Sequence, residues 1–460
     1  MTKTKRDHEK QGRVHPRVAD LKNKFLKGEV DRREFLRTTT LLGLSAAAAY
    51  SFTDTFSNEL PSLISSAEAA TPKKGGTIRC AMQVQDMSDP AVYDWVEKSN
   101  VTRQMAEYLT ITGSDNVTRP YLAEKWVPSD DLKTWTFHIR KGVKFGNGDE
   151  LTADDVIVNI KRWLDPNVGS SMVGMLNTML KEEDGKDKDG KAIKVKRMIE
   201  GSVEKVDTYT VRIHLNSPDL SIPEKMYHYP AVIMHRSFAE KGANITKTPD
   251  LGTGPYTLAE FRVGEIAILK RRGGGFKYWG EDPLLDEIHY IDTGQDSAAS
   301  LAALASGQVD TMYVLDLTLL GAAETMPGVK VHEVTTAQTG CMRIQAERAP
   351  YKDIRVRQAM QLAADNEQML KTAHQGRGMV AENHHVCGCQ PDYAPLPKIK
   401  RNVGKAKQLL ADAGHGGGLD ITCNVGNTNG QWETDQVIVL KQNLAEAGIN
   451  VNVNVMPAAQ

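Results

Sequence analysis

Stretches in which apolar residues recur at every second position are interleaved, through most of this chain, with stretches in which they recur at helical spacing. No other feature of the sequence constrains the fold as tightly. Trp135, Phe137 and Ile139 alternate, as do Tyr209, Val211, Ile213 and Leu215, and again Ile449, Val451, Val453 and Val455. Each set turns one face of a strand toward a core. Between them lie helix patterns. Thr152 and Asp155 form a capping box ahead of Val156, Ile157, Ile160, Trp163 and Leu164, and Pro166 stops that helix. Residues 297–306 carry Ala298, Leu301, Ala302 and Ala305 on one stripe, with Gly307 beyond. Further helices are predicted over residues 353–364, 402–413 and 434–447, the last two followed by Gly414 and Gly448. Strands alternating with amphipathic helices make a mixed α/β protein.

A chain of 460 residues, 40% hydrophobic and 25% charged, has material for two or three packed units rather than one core. The formal net charge of −1 is built from scattered signs, so the phosphate-neutralising field of a nucleic-acid binder is missing and no nucleic-acid partner is expected. Five cysteines are too few for a disulfide scaffold. Gly-x-Ser-x-Gly and His-Glu-x-x-His are both absent, which weighs against a hydrolase without excluding one, because catalytic triads need not be local.

The first seventy residues read as an address. Residues 1–37 hold twelve Lys or Arg against six Asp or Glu and end in Asp31-Arg32-Arg33-Glu34-Phe35-Leu36-Arg37, a run that resembles a twin-arginine export signal. Residues 38–52 are dominated by Leu, Ala and Gly but are shorter than the roughly 20 residues of a spanning helix. Ala67-Glu68-Ala69 offers a small-x-small cleavage site. The alternative is a basic tail followed by a short buried helix. Residues 1–37 carry +6 and residues 38–69 carry −3, which leaves −4 for the remainder. Cys80 lacks the sequence context of a lipoprotein acylation box, so no lipid tether is expected.

Two stretches read as surface insertions: residues 181–194, a run of charges with glycines that predicts a solvated loop, and residues 414–418. The charged run fails the ligand spacing of a calcium loop. Arg272-Gly273-Gly274-Gly275 lacks the spacing of a phosphate cradle and reads as a loop.

More specific is an ordered series of segments: Pro120-Tyr121-Leu122-Ala123-Glu124-Lys125-Trp126, the run from Trp135 to Phe145 (Trp-Thr-Phe-His-Ile-Arg-Lys-Gly-Val-Lys-Phe), and Leu151-Thr152-Ala153-Asp154-Asp155-Val156. Leu251-Gly252-Thr253-Gly254-Pro255-Tyr256, Tyr278-Trp279-Gly280, Gly307-Gln308-Val309-Asp310, Val356-Arg357-Gln358-Ala359 and the run from Lys405 to Gly414 continue it. In order and spacing the series resembles the family 5 extracellular solute-binding proteins of ABC transporters, the peptide and nickel class, over residues 73–456. The motifs themselves are scaffold, and none is a catalytic constellation.

The resemblance implies an α/β, two-lobed periplasmic-binding-protein clamp, type II and cluster C-like, with an extra subdomain in the first lobe. It divides the chain into a twin-arginine signal peptide over 1–69, a first lobe over 70–292 and a second over 293–460. It implies a receptor rather than an enzyme, free in the periplasm, needing no cofactor. Such a receptor closes on a small peptide-like solute and hands it to the permease subunits, after export through the twin-arginine translocase. Family members continue beyond the position of Met456 and return to the first lobe, so the chain is expected to be C-terminally incomplete and to lack the aspartate that pairs with a peptide's α-amino group. Met82, Gln83 and Asp86 follow the first strand, where relatives place cleft residues; Asp89-Pro90 reads equally as a turn. Arg343, in a strand after Thr339-Gly340-Cys341-Met342, is suited to a solute carboxylate, an ordinary salt bridge being the alternative. His384 and His385, in Asn383-His384-His385-Val386-Cys387-Gly388-Cys389, are expected ligand contacts on the wall of the second lobe. Imidazole and thiolate also suit a transition metal, but adjacent histidines point apart in an extended chain, so no metal site is expected and a metal-uptake receptor is the nearer rival reading.

Overall fold

A computed structural model describes residues 15–56, 73–113, 115, 117–186, 190–334, 336, 338–384, 393–426 and 430–456. The chain forms two compact units, Met1–Tyr313 and Val314–Gln460. The strands are β1 (Thr77–Ala81), β2 (Thr110–Thr112), β3 (Thr118–Pro120), β4 (Ala123–Pro128), β5 (Thr134–Ile139), β6 (Leu180–Lys186), β7 (Ala192–Met198), β8 (Val203–Asp207), β9 (Thr210–His214), β10 (Tyr256–Arg262), β11 (Ile266–Arg271), β12 (Glu287–Ile291), β13 (Thr311–Met312), β14 (Leu419–Val425) and β15 (Ile449–Val455). The helices are α1 (Arg17–Leu26), α2 (Arg32–Leu41), α3 (Ala46–Phe56), α4 (Val96–Thr102), α5 (Ala153–Trp163), α6 (Met172–Met175), α7 (Ile222–Lys225), α8 (Ser297–Ala305), α9 (Leu320–Thr325), α10 (Ile354–Ala363), α11 (Asn366–Ala373), α12 (Val403–Asp412) and α13 (Trp432–Glu446).

In the first unit a mixed five-stranded sheet runs β10-β11-β12-β1-β13, with β1 parallel to both β12 and β13. A separate antiparallel sheet runs β4-β5-β9-β8. Its inner face is what the alternation predicted: Trp135, Phe137, Val211 and Ile213 are fully buried, with Phe137 opposite Val211 and Trp135 opposite Ile213. Each such side chain removed from water contributes about 1.5–3 kcal/mol. Helix α5 starts at its cap. The Thr152 N–H donates to Asp155 Oδ2 at 2.9 Å, and Asp155 Oδ1 accepts the Arg236 N–H at 2.9 Å, so the buried capping carboxylate also ties a distant loop to the helix.

The second unit is built on β14 and β15, which pair in parallel from Leu419–Ile449 to Val425–Val455. Parallel neighbours need a crossover, and α13 supplies it. Val356, Ala359, Leu410, Leu444 and Ile449 form its core.

Two expectations change. The run 181–194 is not a loop: β6 and β7 make an antiparallel hairpin. Residues 338–345, Arg343 among them, form no strand. The first compact unit runs on to Tyr313 because β13 extends the sheet of β1 and α8 packs against both. No helix among the described residues is long and apolar enough to cross a membrane. Ala67-Glu68-Ala69 lies outside the described residues.

Candidate functional site

In open α/β sheets, segments leaving the carboxyl ends of parallel strands are placed to build a site, because strand geometry fixes their bases while their tips stay free. In the first unit that position belongs to residues 82–86, after β1. Met82 is turned into the core, 5% exposed, with its N–H on the Ile291 carbonyl at 3.1 Å and its Sδ facing Asn100 Nδ2 at 3.7 Å. It anchors the segment. Gln83 is half-buried and accepts from Gln85 Nε2 at 3.4 Å, while Asp86 is exposed. The segment is fixed by Asp292 at the end of β12, whose Oδ2 accepts the Val84 N–H at 2.8 Å. Asp89 is structural: it caps the turn at Pro90 and holds Arg162 through both carboxylate oxygens.

Sequence reasoning missed Arg103, which follows α4. Its Nη2 donates to Ser99 Oγ at 2.9 Å, and its guanidinium lies 5.9 and 5.6 Å from the ring centres of Tyr108 and Tyr227. It has no ion-pair partner among the described residues. A half-buried guanidinium held by neutral groups retains its charge for an anionic guest. Ser99 and Arg103 lie four apart, but that spacing is too common to have marked the residue. A second missed centre is Glu107, whose carboxylate is buried among Tyr278, Trp279 and Thr253. Burial first, and then the Glu107 charge, hold the Tyr278 hydroxyl well above its ordinary range.

In the second unit Arg343 is exposed on an irregular segment, between Met342 and Ile344, which pack on the core. His384 is half-buried, with Nε2 3.3 Å from Glu382 Oε2. The same carboxylate accepts the Tyr393 hydroxyl at 3.0 Å and meets Lys398 Nζ at 3.1 Å. The Lys398 contact is the largest cause of the lowered Glu382 pKa. His384 therefore belongs to a polar knot with Glu382, Tyr393 and Lys398. His385, Cys387 and Cys389 lie outside the described residues. No group of three His, Cys, Asp or Glu side chains among the described residues is placed to hold a metal. Cys80, Cys341 and Cys423 are free thiols, and burial pushes Cys80 up to about 11, so it stays protonated and unreactive at neutral pH.

Comparison with known proteins bears on the whole of this arrangement. The haem-binding protein A of Haemophilus influenzae is 30% identical over 319 residues, covering 67% of this chain and 56% of the relative. The periplasmic oligopeptide-binding protein OppA of the same organism is 28% identical over 340 residues, covering 71% of this chain and 61% of the relative. The chain thus spans less than two thirds of the length of these relatives. The oligopeptide-binding protein AppA of Bacillus subtilis, solved in complex with a nonapeptide, superposes with a TM-score of 0.65 at 23% identity, over 84% of this chain and 76% of AppA. That likeness shows the fold, the α/β two-lobed architecture expected from the motif series. The model of the bacterial extracellular solute-binding proteins, family 5, matches residues 118–460, and the chain belongs to that family.

Proposed function

We propose that this chain is the solute-binding component of an ABC importer, a receptor and not an enzyme. It captures a small peptide-like solute in the periplasm and delivers it unaltered to the permease subunits. The observation that carries the reading is the family match over residues 118–460. Two features of the chain support a peptide-like guest, which has a charge at each end. Asp86 and Gln83 at the carboxyl end of β1 suit an amine, and Arg103 and Arg343 suit a carboxylate, where a bidentate guanidinium contact adds both strength and orientation. The Asp31–Arg37 run supports export through the twin-arginine translocase before binding begins.

The test is a thermal-shift screen of the full chain against di- to nonapeptides, amino-acid conjugates, sugars, haem and nickel–histidine, followed by mass spectrometry of the recovered ligand. A ligand that binds the native state raises its stability by RT ln(1 + [L]/Kd), so peptides should raise the melting temperature with concentration and return intact. Cleaved peptide would make the chain a hydrolase. A response to haem or to the nickel chelate alone would make it a receptor of a different cargo. Export is tested separately, by Arg32→Lys with Arg33→Lys, which should leave the protein in the cytoplasm.

A further inference from the structure

The segment 15–53 is not laid out as a free extension. Helices α1 to α3 close on one another through aromatic contacts, Phe25 stacked on Phe35 at 4.8 Å and Phe52 tilted against Phe35 at 5.2 Å. The bundle sits against the first unit through contacts of three kinds. Arg37 and Glu224 form a bidentate pair, Nε to Oε1 at 2.6 Å and Nη2 to Oε2 at 2.8 Å, with side chains only 11% and 21% exposed. The indole Nε1 of Trp126, on β4, donates to the Leu41 carbonyl at 3.0 Å, satisfying an acceptor at the end of α2. Val18 and Leu42 belong to the main core of the unit, while Leu36 and Ala49 pack with Val117 and Tyr50 donates to Asp115.

The consequence falls on the Asp31–Arg37 run. Phe35 and Leu36 are buried, Arg37 is paired to Glu224, and Arg32 donates to Thr53 and lies over the Tyr50 ring, which leaves Arg33 as the exposed side chain of the arginine pair. We propose that residues 15–53 dock in cis on the folded first unit, so that Arg32, Phe35, Leu36 and Arg37 of the export run stay engaged, with Arg33 alone of the arginines exposed, until the segment is released, with Glu224 and Trp126 as the surface that holds it. The purpose assigned to docking rests on the export reading; the docking itself does not. A translocase that reads this run would compete with Glu224 and Trp126 for it, and folding of the first unit would govern when the run is presented.

Hydrogen exchange of the full-length purified protein tests this. Amides of α2 should be protected in the native chain, should exchange roughly tenfold faster or more in Glu224→Arg, and should regain protection in the charge swap Arg37→Glu with Glu224→Arg. Trp126→Phe, which removes the indole donor and keeps an apolar ring, should speed exchange at the end of α2 without unfolding the unit. Exchange of α2 at the rate of an unstructured peptide in the native chain, or indifference of its protection to Glu224→Arg, would overturn the proposal. If protection behaves as expected but export ignores Arg32→Lys with Arg33→Lys, docking stands and the export reading fails. If export depends on the arginines while α2 is unprotected, the docking alone fails.

Discussion

The Glu107 carboxylate, in a residue 1% exposed, accepts the indole N–H of Trp279 at 2.8 Å and the hydroxyl of Tyr278 at 2.5 Å. Thr253 Oγ1 donates a third bond at 2.8 Å. One buried side chain therefore ties the segment before β2 to two turns remote in sequence through neutral donors, with no ion-pair partner among the described residues. Donors to a charged acceptor contribute about 1.5–3 kcal/mol each. In Glu107→Gln one oxygen becomes an NH2 group facing donors, and a loss of about 2–4 kcal/mol is expected. Urea unfolding should show the lowered midpoint. A midpoint unchanged from the parent would remove Glu107 from the scaffold.

The turn that carries Thr253 explains its glycines. A Cβ at Gly252 would meet the Met105 carbonyl oxygen at 2.3 Å, and one at Gly254 the Gln104 carbonyl oxygen at 2.5 Å, both backbone atoms that cannot swing aside. The close approach is bonded, with the Gly254 N–H on the Met105 carbonyl at 2.8 Å and the Tyr256 N–H on the Gln104 carbonyl at 3.1 Å. Gly254→Ala should cost more than the usual 1–3 kcal/mol of overpacking, about 3 kcal/mol or above, because backbone must move. Calorimetry should register it as a fall in melting temperature, whereas Gly273→Ala, which meets nothing within 4 Å, serves as the silent control.

These two cases show what was legible in the sequence and what was not. Alternation at Trp135, Phe137 and Ile139 and the cap at Thr152 are local signals, and the elements they predicted formed there, since one buried face or one cap suffices to specify each. The Gly252-Thr253-Gly254 turn was legible as a turn, but its reason, the backbone of residues 104 and 105, is a tertiary contact that no local pattern encodes. The same holds for Glu107. The β6–β7 hairpin escaped because β6 is polar after Leu180 and the cross-strand pattern is dominated by charge, Glu182 opposite Lys196 and Asp184 opposite Lys194, so that the short alternation of Ile193 and Val195 on β7 was too slight a signal. That Met82 turns into the core was not legible either, because proximity to a strand end says nothing about which way a side chain turns.

Arg343 separates binding from stability. It is exposed, so Arg343→Ala should leave the melting temperature of the ligand-free chain within the small range of ordinary surface substitutions, about 0.5 kcal/mol. If it holds a solute carboxylate, affinity should fall by roughly 10- to 100-fold, the equivalent of a lost charge-assisted hydrogen bond. Calorimetric titration with a peptide and with its C-terminal amide makes the check specific, because the amide should bind the native chain weakly and be indifferent to the substitution. Equal affinity of the native chain and Arg343→Ala for the free-acid peptide would assign the carboxylate to another group, Arg103 first.

Acid should weaken the first unit through Asp219. Lys225 Nζ lies 2.5 Å from Asp219 Oδ2, with side chains 16% and 10% exposed respectively, and Oδ1 accepts the Ser221 N–H at 3.0 Å and its hydroxyl at 2.7 Å. Burial is the largest single influence and raises the carboxyl pKa, but the Lys225 and Ser221 contacts together outweigh it and hold the group below its ordinary value. A carboxyl whose folded pKa is depressed stabilises the fold fully above its unfolded pKa, about 3.9, and loses that contribution as pH falls through the folded value. Stability should therefore decline below about pH 4 with a slope that Asp219→Asn reduces. Lys225→Met removes the cation and leaves the carboxylate half-compensated, so it should cost about 1–3 kcal/mol at pH 7 and shift the acid transition upward. Denaturant midpoints measured from pH 3 to pH 7 for the parent and both variants decide it; parallel curves for all three would show that this pair does not contribute to acid unfolding.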